Sequence, residues 1–83
     1  MLEIIIYSKQ HCPLCDKAIA QIERLKEQYD FNIKLIDIYH DEELLEKYQL
    51  MIPVVEIDGE EVDFGQISEN RILKRLQSKI SEI

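Results

Sequence analysis

The stretch Leu2-Glu3-Ile4-Ile5-Ile6-Tyr7-Ser8-Lys9-Gln10-His11-Cys12-Pro13-Leu14-Cys15 decides how the rest of the chain is read. Its first half is a short β-branched run broken only by Glu3, which suits a strand buried on both faces at the centre of a covered sheet. From Leu14 the apolar positions Ala18, Ile19, Ile22 and Leu25 fall at helical spacing, with Lys17, Gln21, Glu23 and Lys26 on the other side. Cys12 and Cys15 therefore straddle a strand-to-helix junction. Pro13 falls in the first helical turn, where its missing N–H costs nothing.

Beyond that helix, Phe31-Asn32-Ile33-Lys34-Leu35-Ile36-Asp37 begins as apolar-polar alternation and reads as a second strand. A helix between two strands makes them parallel neighbours. Asp41 is placed to cap a short helix carrying Leu44, Leu45 and Tyr48 and ending near Leu50, with Glu42 and Glu43 at the positive end of its dipole. Val54-Val55-Glu56-Ile57 and Glu61-Val62-Asp63-Phe64 flank Asp58-Gly59-Glu60, a strong hairpin signal. Ser68 stands where an N-cap belongs, ahead of Ile72, Leu73, Leu76 and Ile80. The expected fold is α/β in the order β-α-β-α-β-β-α: a four-stranded mixed sheet with the first and third helices on one face and the second on the other.

The chain has 83 residues, which fits one domain spanning 1–83. With 46% hydrophobic and 33% charged residues it can bury enough apolar area to fold. The formal charge of −7 argues against nucleic acid, which requires a basic face to displace phosphate counterions, and against an anionic membrane surface. No apolar run approaches the roughly 20 residues of a membrane span, and Leu2 to Tyr7 lacks the flanks of a signal peptide. A cytoplasmic, reducing setting is expected. There structural disulfides are rare, and a close cysteine pair is catalytic or metal-binding. Glycine occurs only at Gly59 and Gly65, so a glycine-rich phosphate loop is absent.

Residues three apart on a helix have Cβ atoms about 5 to 6 Å apart, so a modest adjustment lets the two sulfurs bond. Unpaired N–H groups and the dipole at a helix N-terminus favour thiolate over thiol. Cys12, the outermost, is assigned as nucleophile and Cys15, nearer the packed face, as the resolving thiol. Two other readings stand beside this one: two small apolar residues that happen to be close, and a zinc site. Zinc normally takes four ligands, and Cys12, Cys15, His11 and His40 are the candidates, without a spacing signature. No metal is assigned.

At these residues the sequence resembles the glutaredoxins of the thioredoxin-like fold. Tyr7 to Cys15 resembles the end of that family's first strand and its Cys-Pro-x-Cys site, including a lysine three residues before the first cysteine. Met51-Ile52-Pro53-Val54-Val55 resembles its Thr-Val-Pro segment, whose proline follows a cis bond. The resemblance implies a thiol-disulfide oxidoreductase acting on disulfides of proteins or small molecules, with glutathione or a thioredoxin reductase as electron donor. It also implies no bound cofactor, and nothing in it demands more than a monomer. Substrate or glutathione contacts would fall to Lys9, to the backbone at Ile52 and Pro53, and to Gly65 and Ser68. Where glutaredoxins carry Gly-Gly and an acidic pair, this chain has Phe64-Gly65-Gln66-Ile67-Ser68, so weaker glutathione binding is expected. A redox-inert adaptor, or a metal or iron-sulfur module on the same fold, is the alternative from another class. Tyr7, Tyr29, Tyr39 and Tyr48 need no functional account, and Glu60, Glu61 and Asp63 read as a solvated strand edge.

Overall fold

β-Branched side chains favour an extended backbone. In the computed structural model, which describes residues 2–81, Ile4, Ile5 and Ile6 lie in strand β1 (Leu2–Ser8). The single-domain span 1–83 thus runs past the described residues at both ends. β1 is parallel to β2 (Phe31–Asp37) and antiparallel to β3 (Val54–Ile57), which pairs antiparallel with β4 (Glu60–Phe64); the sheet order is β2-β1-β3-β4. The helices are α1 (Pro13–Leu25), α2 (Glu42–Tyr48) and α3 (Glu69–Ser81). Alternation along β1 sends Leu2, Ile4 and Ile6 to one face, where they pack with Ala18, Ile22 and Leu25 of α1 and Ile72 and Leu76 of α3. Ile5 and Tyr7 face the other way, onto Leu44, Leu45 and Tyr48 of α2. The expected element order, mixed sheet and two-sided helix cover are therefore the observed architecture.

Two local details differ from expectation. The hairpin turn is two residues, Asp58 and Gly59, both with positive φ (53° and 86°), and Glu60 already pairs with Ile57. A turn of that kind needs left-handed backbone at both positions, which Asp and Gly tolerate best. Between β2 and α2 a single 3-10 turn, Ile38–His40, inserts because the Asp37 carboxylate accepts the Tyr39 N–H at 2.9 Å. It buries Ile38 beside Tyr48. Asx capping of this kind leaves no periodic signal.

The carboxylates of the hairpin, expected to be a solvated edge, are instead paired. The β3–β4 register shifts between Val55 and Glu56: Glu56 pairs with Glu61, but Val55 pairs with Asp63, leaving Val62 as the extra residue. A bulge turns consecutive residues toward one face. Val62 consequently joins the α1/α3 core while Asp63 also turns inward, its side chain only 5% exposed. There it accepts the Ser68 N–H at 2.8 Å, the Phe64 N–H at 3.0 Å and an Arg71 guanidinium N–H at 3.1 Å. Glu60 pairs with Arg75 and Lys79, and Glu61 with Lys47. Ser68 caps α3 as expected, its Oγ accepting the Arg71 N–H at 3.3 Å. Asp63→Ala should lower the unfolding free energy by about 2 kcal/mol, since it removes a buried charge-assisted network and support for a helix start. Urea unfolding with an unchanged m-value checks this; a loss below about 0.5 kcal/mol, the usual size for a surface change, would contradict it.

Candidate active site

β1 ends at Ser8, and the chain must reverse before α1 can return along the sheet. The reversal ends at His11, whose φ of 57° places a non-glycine residue in the left-handed region. Cys12 follows with extended backbone as the N-cap of α1, and Pro13 occupies the first helical position. The Cys12 Sγ accepts the Cys15 N–H at 3.2 Å, and the Cys12 carbonyl accepts the Asp16 N–H at 2.9 Å. Sulfur here does the capping work that oxygen does in Ser or Asp caps.

Cys12 and Cys15 are joined as a disulfide across this first turn, their Cα atoms 5.2 Å apart. The two ends of the bridge are unlike. Cys15 is 1% exposed, and Cys12, at 7%, lines an open groove with Lys9, His11, Leu14, Leu50 and Ile52. His40 lies elsewhere, in a neighbouring depression lined by Lys9, Gln10, Asp37 and Tyr39, and its Nε2 is 3.9 Å from Asp37. The four candidate zinc ligands are thus not gathered. Among the described residues no group of three or more His, Cys, Asp or Glu side chains is arranged to hold a metal ion.

The Ile52-Pro53 peptide is cis, and Ile52 lines the Cys12 groove. Its N–H already donates to the Tyr48 carbonyl at 3.1 Å, which also accepts the Met51 N–H at 2.8 Å. Pairing between that N–H and a substrate backbone therefore requires the α2 end to let it go. Gly65 is similarly engaged: its N–H points at the Met51 and Pro53 carbonyls, at 2.9 and 2.8 Å. Its φ of 70° explains the glycine, whereas a Cβ built there would meet nothing within 4 Å. Conformation rather than close approach fixes this position. Ser68 uses both its N–H and its Oγ in the α3 cap. Phe64, opposite Val54 in the ladder and 56% exposed, is not among the residues lining the Cys12 groove.

With this geometry established, a family model described as "Glutaredoxin-like domain (DUF836)" matches residues 3–77. The chain belongs to that family. Glutaredoxin-like folds of this kind have solved neighbours. Protein Ne2328 from Nitrosomonas europaea is 22% identical, with 89% of each chain covered and a TM-score of 0.79. Protein SA0789 from Staphylococcus aureus is 19% identical, with 99% of this chain and 94% of that one covered and a TM-score of 0.77. The N21Q mutant thioredoxin from Halobacterium salinarum is 23% identical, with 93% and 73% covered and a TM-score of 0.69. No curated protein matches this chain. These likenesses establish the thioredoxin-type fold of this glutaredoxin-like domain. No helix among the described residues is long and apolar enough to cross a membrane.

Sequence reasoning missed one cluster on the α2 face of this domain. Tyr7 and Tyr48, expected to be incidental, meet with ring centroids 4.8 Å apart. The Tyr7 hydroxyl donates to Glu56 at 2.9 Å and the Tyr48 hydroxyl to Glu61 at 2.6 Å, while the Lys47 ammonium lies 4.9 Å from the Tyr48 ring centroid. The pairing joins the end of β1 to the end of α2, whose last carbonyl holds Ile52. Burial, and then the bond and charge of the neighbouring carboxylate, push both phenols well above the usual tyrosine range. A folded-state value raised above the unfolded one contributes stability that is complete below about pH 10 and is lost as pH rises beyond it. Unfolding free energy should accordingly fall above about pH 10, and a Tyr7→Phe/Tyr48→Phe variant should show a shallower fall. Denaturation midpoints across that range check this; identical slopes would contradict it.

Proposed function

We propose that this glutaredoxin-like domain is a dithiol thiol-disulfide oxidoreductase working through Cys12 and Cys15. The observation that supports it best is the asymmetric bridge at the start of α1, with one sulfur at a groove and the other buried against the core. In the reduced protein, helix N–H groups favour a Cys12 thiolate. That thiolate attacks one sulfur of a substrate disulfide; the other substrate sulfur leaves as a thiolate and takes a proton. The Cys15 thiolate then attacks Cys12 Sγ, releasing the second substrate thiol and closing the Cys12–Cys15 bridge. Two electrons pass from the protein dithiol to the substrate disulfide. Only the short Cys12-Pro13-Leu14-Cys15 turn changes its bonding, and the fold stays as it is.

The Lys9 ammonium lines the same groove and suits a substrate carboxylate. A glutathione molecule would meet Lys9 but would find the backbone N–H donors of Ile52, Gly65 and Ser68 already engaged. Glutathione is therefore a poor electron donor in this reading and a thioredoxin reductase the better one, with the protein acting as a monomer in the cytoplasm. Cys12→Ser should lower disulfide reductase activity by at least about 10³-fold, the scale of losing a nucleophile. Cys15→Ser should accumulate a mixed disulfide at Cys12, visible by mass spectrometry. Equal activity of wild type and Cys12→Ser would overturn the assignment. Reduction of the oxidised protein under limiting donor, by glutathione and separately by a thioredoxin reductase, tests the choice of donor.

A further inference from the structure

Exposed apolar side chains scattered singly need no explanation. Around Cys12 they are not scattered. Leu14, 47% exposed in the first turn of α1, and Leu50, 96% exposed in the turn after α2, line the Cys12 groove together with Pro13 and Ile52. Two separate elements thus each present a bare leucine to one groove. Leu50 at that exposure contributes almost nothing to folding. Among the described residues the charged or titratable liners are Lys9, His11 and Cys12 itself, and none of the described carboxylates lines the groove in this acidic chain. An occupant that suits these walls is apolar beside its sulfur and, if charged, acidic.

The backbone also bears on what the groove can hold. An extended substrate gains affinity from main-chain pairing and specificity from side-chain pockets. Here the Ile52 N–H is held by the Tyr48 carbonyl, so main-chain pairing is curtailed and side-chain burial must carry more of the recognition.

We propose that the groove between Leu14, Leu50 and Ile52 is a subsite selecting polypeptide disulfides in which a bulky apolar side chain adjoins the half-cystine that Cys12 attacks. The inference rests on the dithiol exchange described above and names its substrate class. Cys12 Sγ bonds to the peptide sulfur while the partner sulfur leaves with the electron pair. The apolar neighbour loses its water against Leu50 and Leu14 in the mixed disulfide. Cys15 then displaces the peptide thiol, and a dithiol such as dithiothreitol, itself oxidised to its disulfide, returns the protein to its reduced form.

Two hexapeptides test it, alike except for Leu or Ser on both sides of a single cysteine, each joined through a disulfide to 2-nitro-5-thiobenzoate. Reduced full-length protein is mixed with each, and release of the coloured thiolate is followed. Wild type should favour the Leu peptide by about tenfold in second-order rate constant, the usual scale for an apolar pocket. Leu50→Ser and Leu14→Ser should each bring that ratio toward one. Because both peptides are read on one preparation, any loss of folded protein lowers both rates and leaves the ratio alone. A wild-type ratio near one, or a ratio retained in the Leu50→Ser/Leu14→Ser double variant, overturns the subsite. Release from neither peptide overturns the exchange reading along with it, whereas equal release from both overturns the subsite alone.

Discussion

Burial of β1 on both faces is the constraint to which the other elements answer. Ile4 and Ile6 are fully buried against α1 and α3, and Tyr7 is buried against α2, so β1 must lie inside the sheet with helices on either side. Each fully buried aliphatic side chain contributes about 1.5 to 3 kcal/mol, and that contribution would vanish if the strand slipped by one residue. The strand's C-terminal end is then a fixed point from which the chain has four residues to turn and start α1. Cys12 owes its position to that short connection. Loops at the carboxyl ends of parallel strands are where open α/β sheets place their ligand sites.

The same fixed point organises the opposite wall of the groove. Tyr7 stacks on Tyr48, and the Tyr48 carbonyl holds Met51 and Ile52, which carry the chain into Pro53 and β3. β3 pairs with β1 from Ile57 back to Val54, so the proline loop and the cysteine turn are brought to the same edge by one ladder. Gly65 ties the end of β4 to that loop through the Met51 and Pro53 carbonyls. The loop and the turn that carry the groove's exposed walls are thus anchored to the core of the domain.

Much of this was legible in the sequence because it rests on periodicity and on residues with strong local preferences. The two-sided strand, the helical spacing after Leu14, the Asp-Gly hairpin, and the Asp41 and Ser68 caps each carry a local signal, and each appears in the structure. What was not legible depends on register or on long-range pairing. Asp63 reads as an edge carboxylate until the bulge at Val62 turns it toward α3, and nothing in Glu61-Val62-Asp63-Phe64 announces a bulge. Tyr7 and Tyr48 are far apart in sequence and meet only once α2 covers the sheet. At the site, the cysteines, Lys9 and the proline loop could be named from sequence, but the engagement of the Ile52, Gly65 and Ser68 donors is a property of tertiary hydrogen bonding. A resemblance transfers residue types more readily than it transfers free lone pairs and unpaired N–H groups.

The chemistry proposed for the cysteine pair turns on the inequality of its two sulfurs. At the outer end of α1, Cys12 lines the groove and is the more accessible sulfur, whereas Cys15 is enclosed by the core that α1 builds against β1. The most direct measurement is to reduce the protein fully, expose it at neutral pH to less than one equivalent of iodoacetamide, and locate the label by peptide mass spectrometry. The label should be carried by Cys12, with Cys15 left unmodified. Equal labelling of the two cysteines, or labelling of Cys15 first, would contradict it.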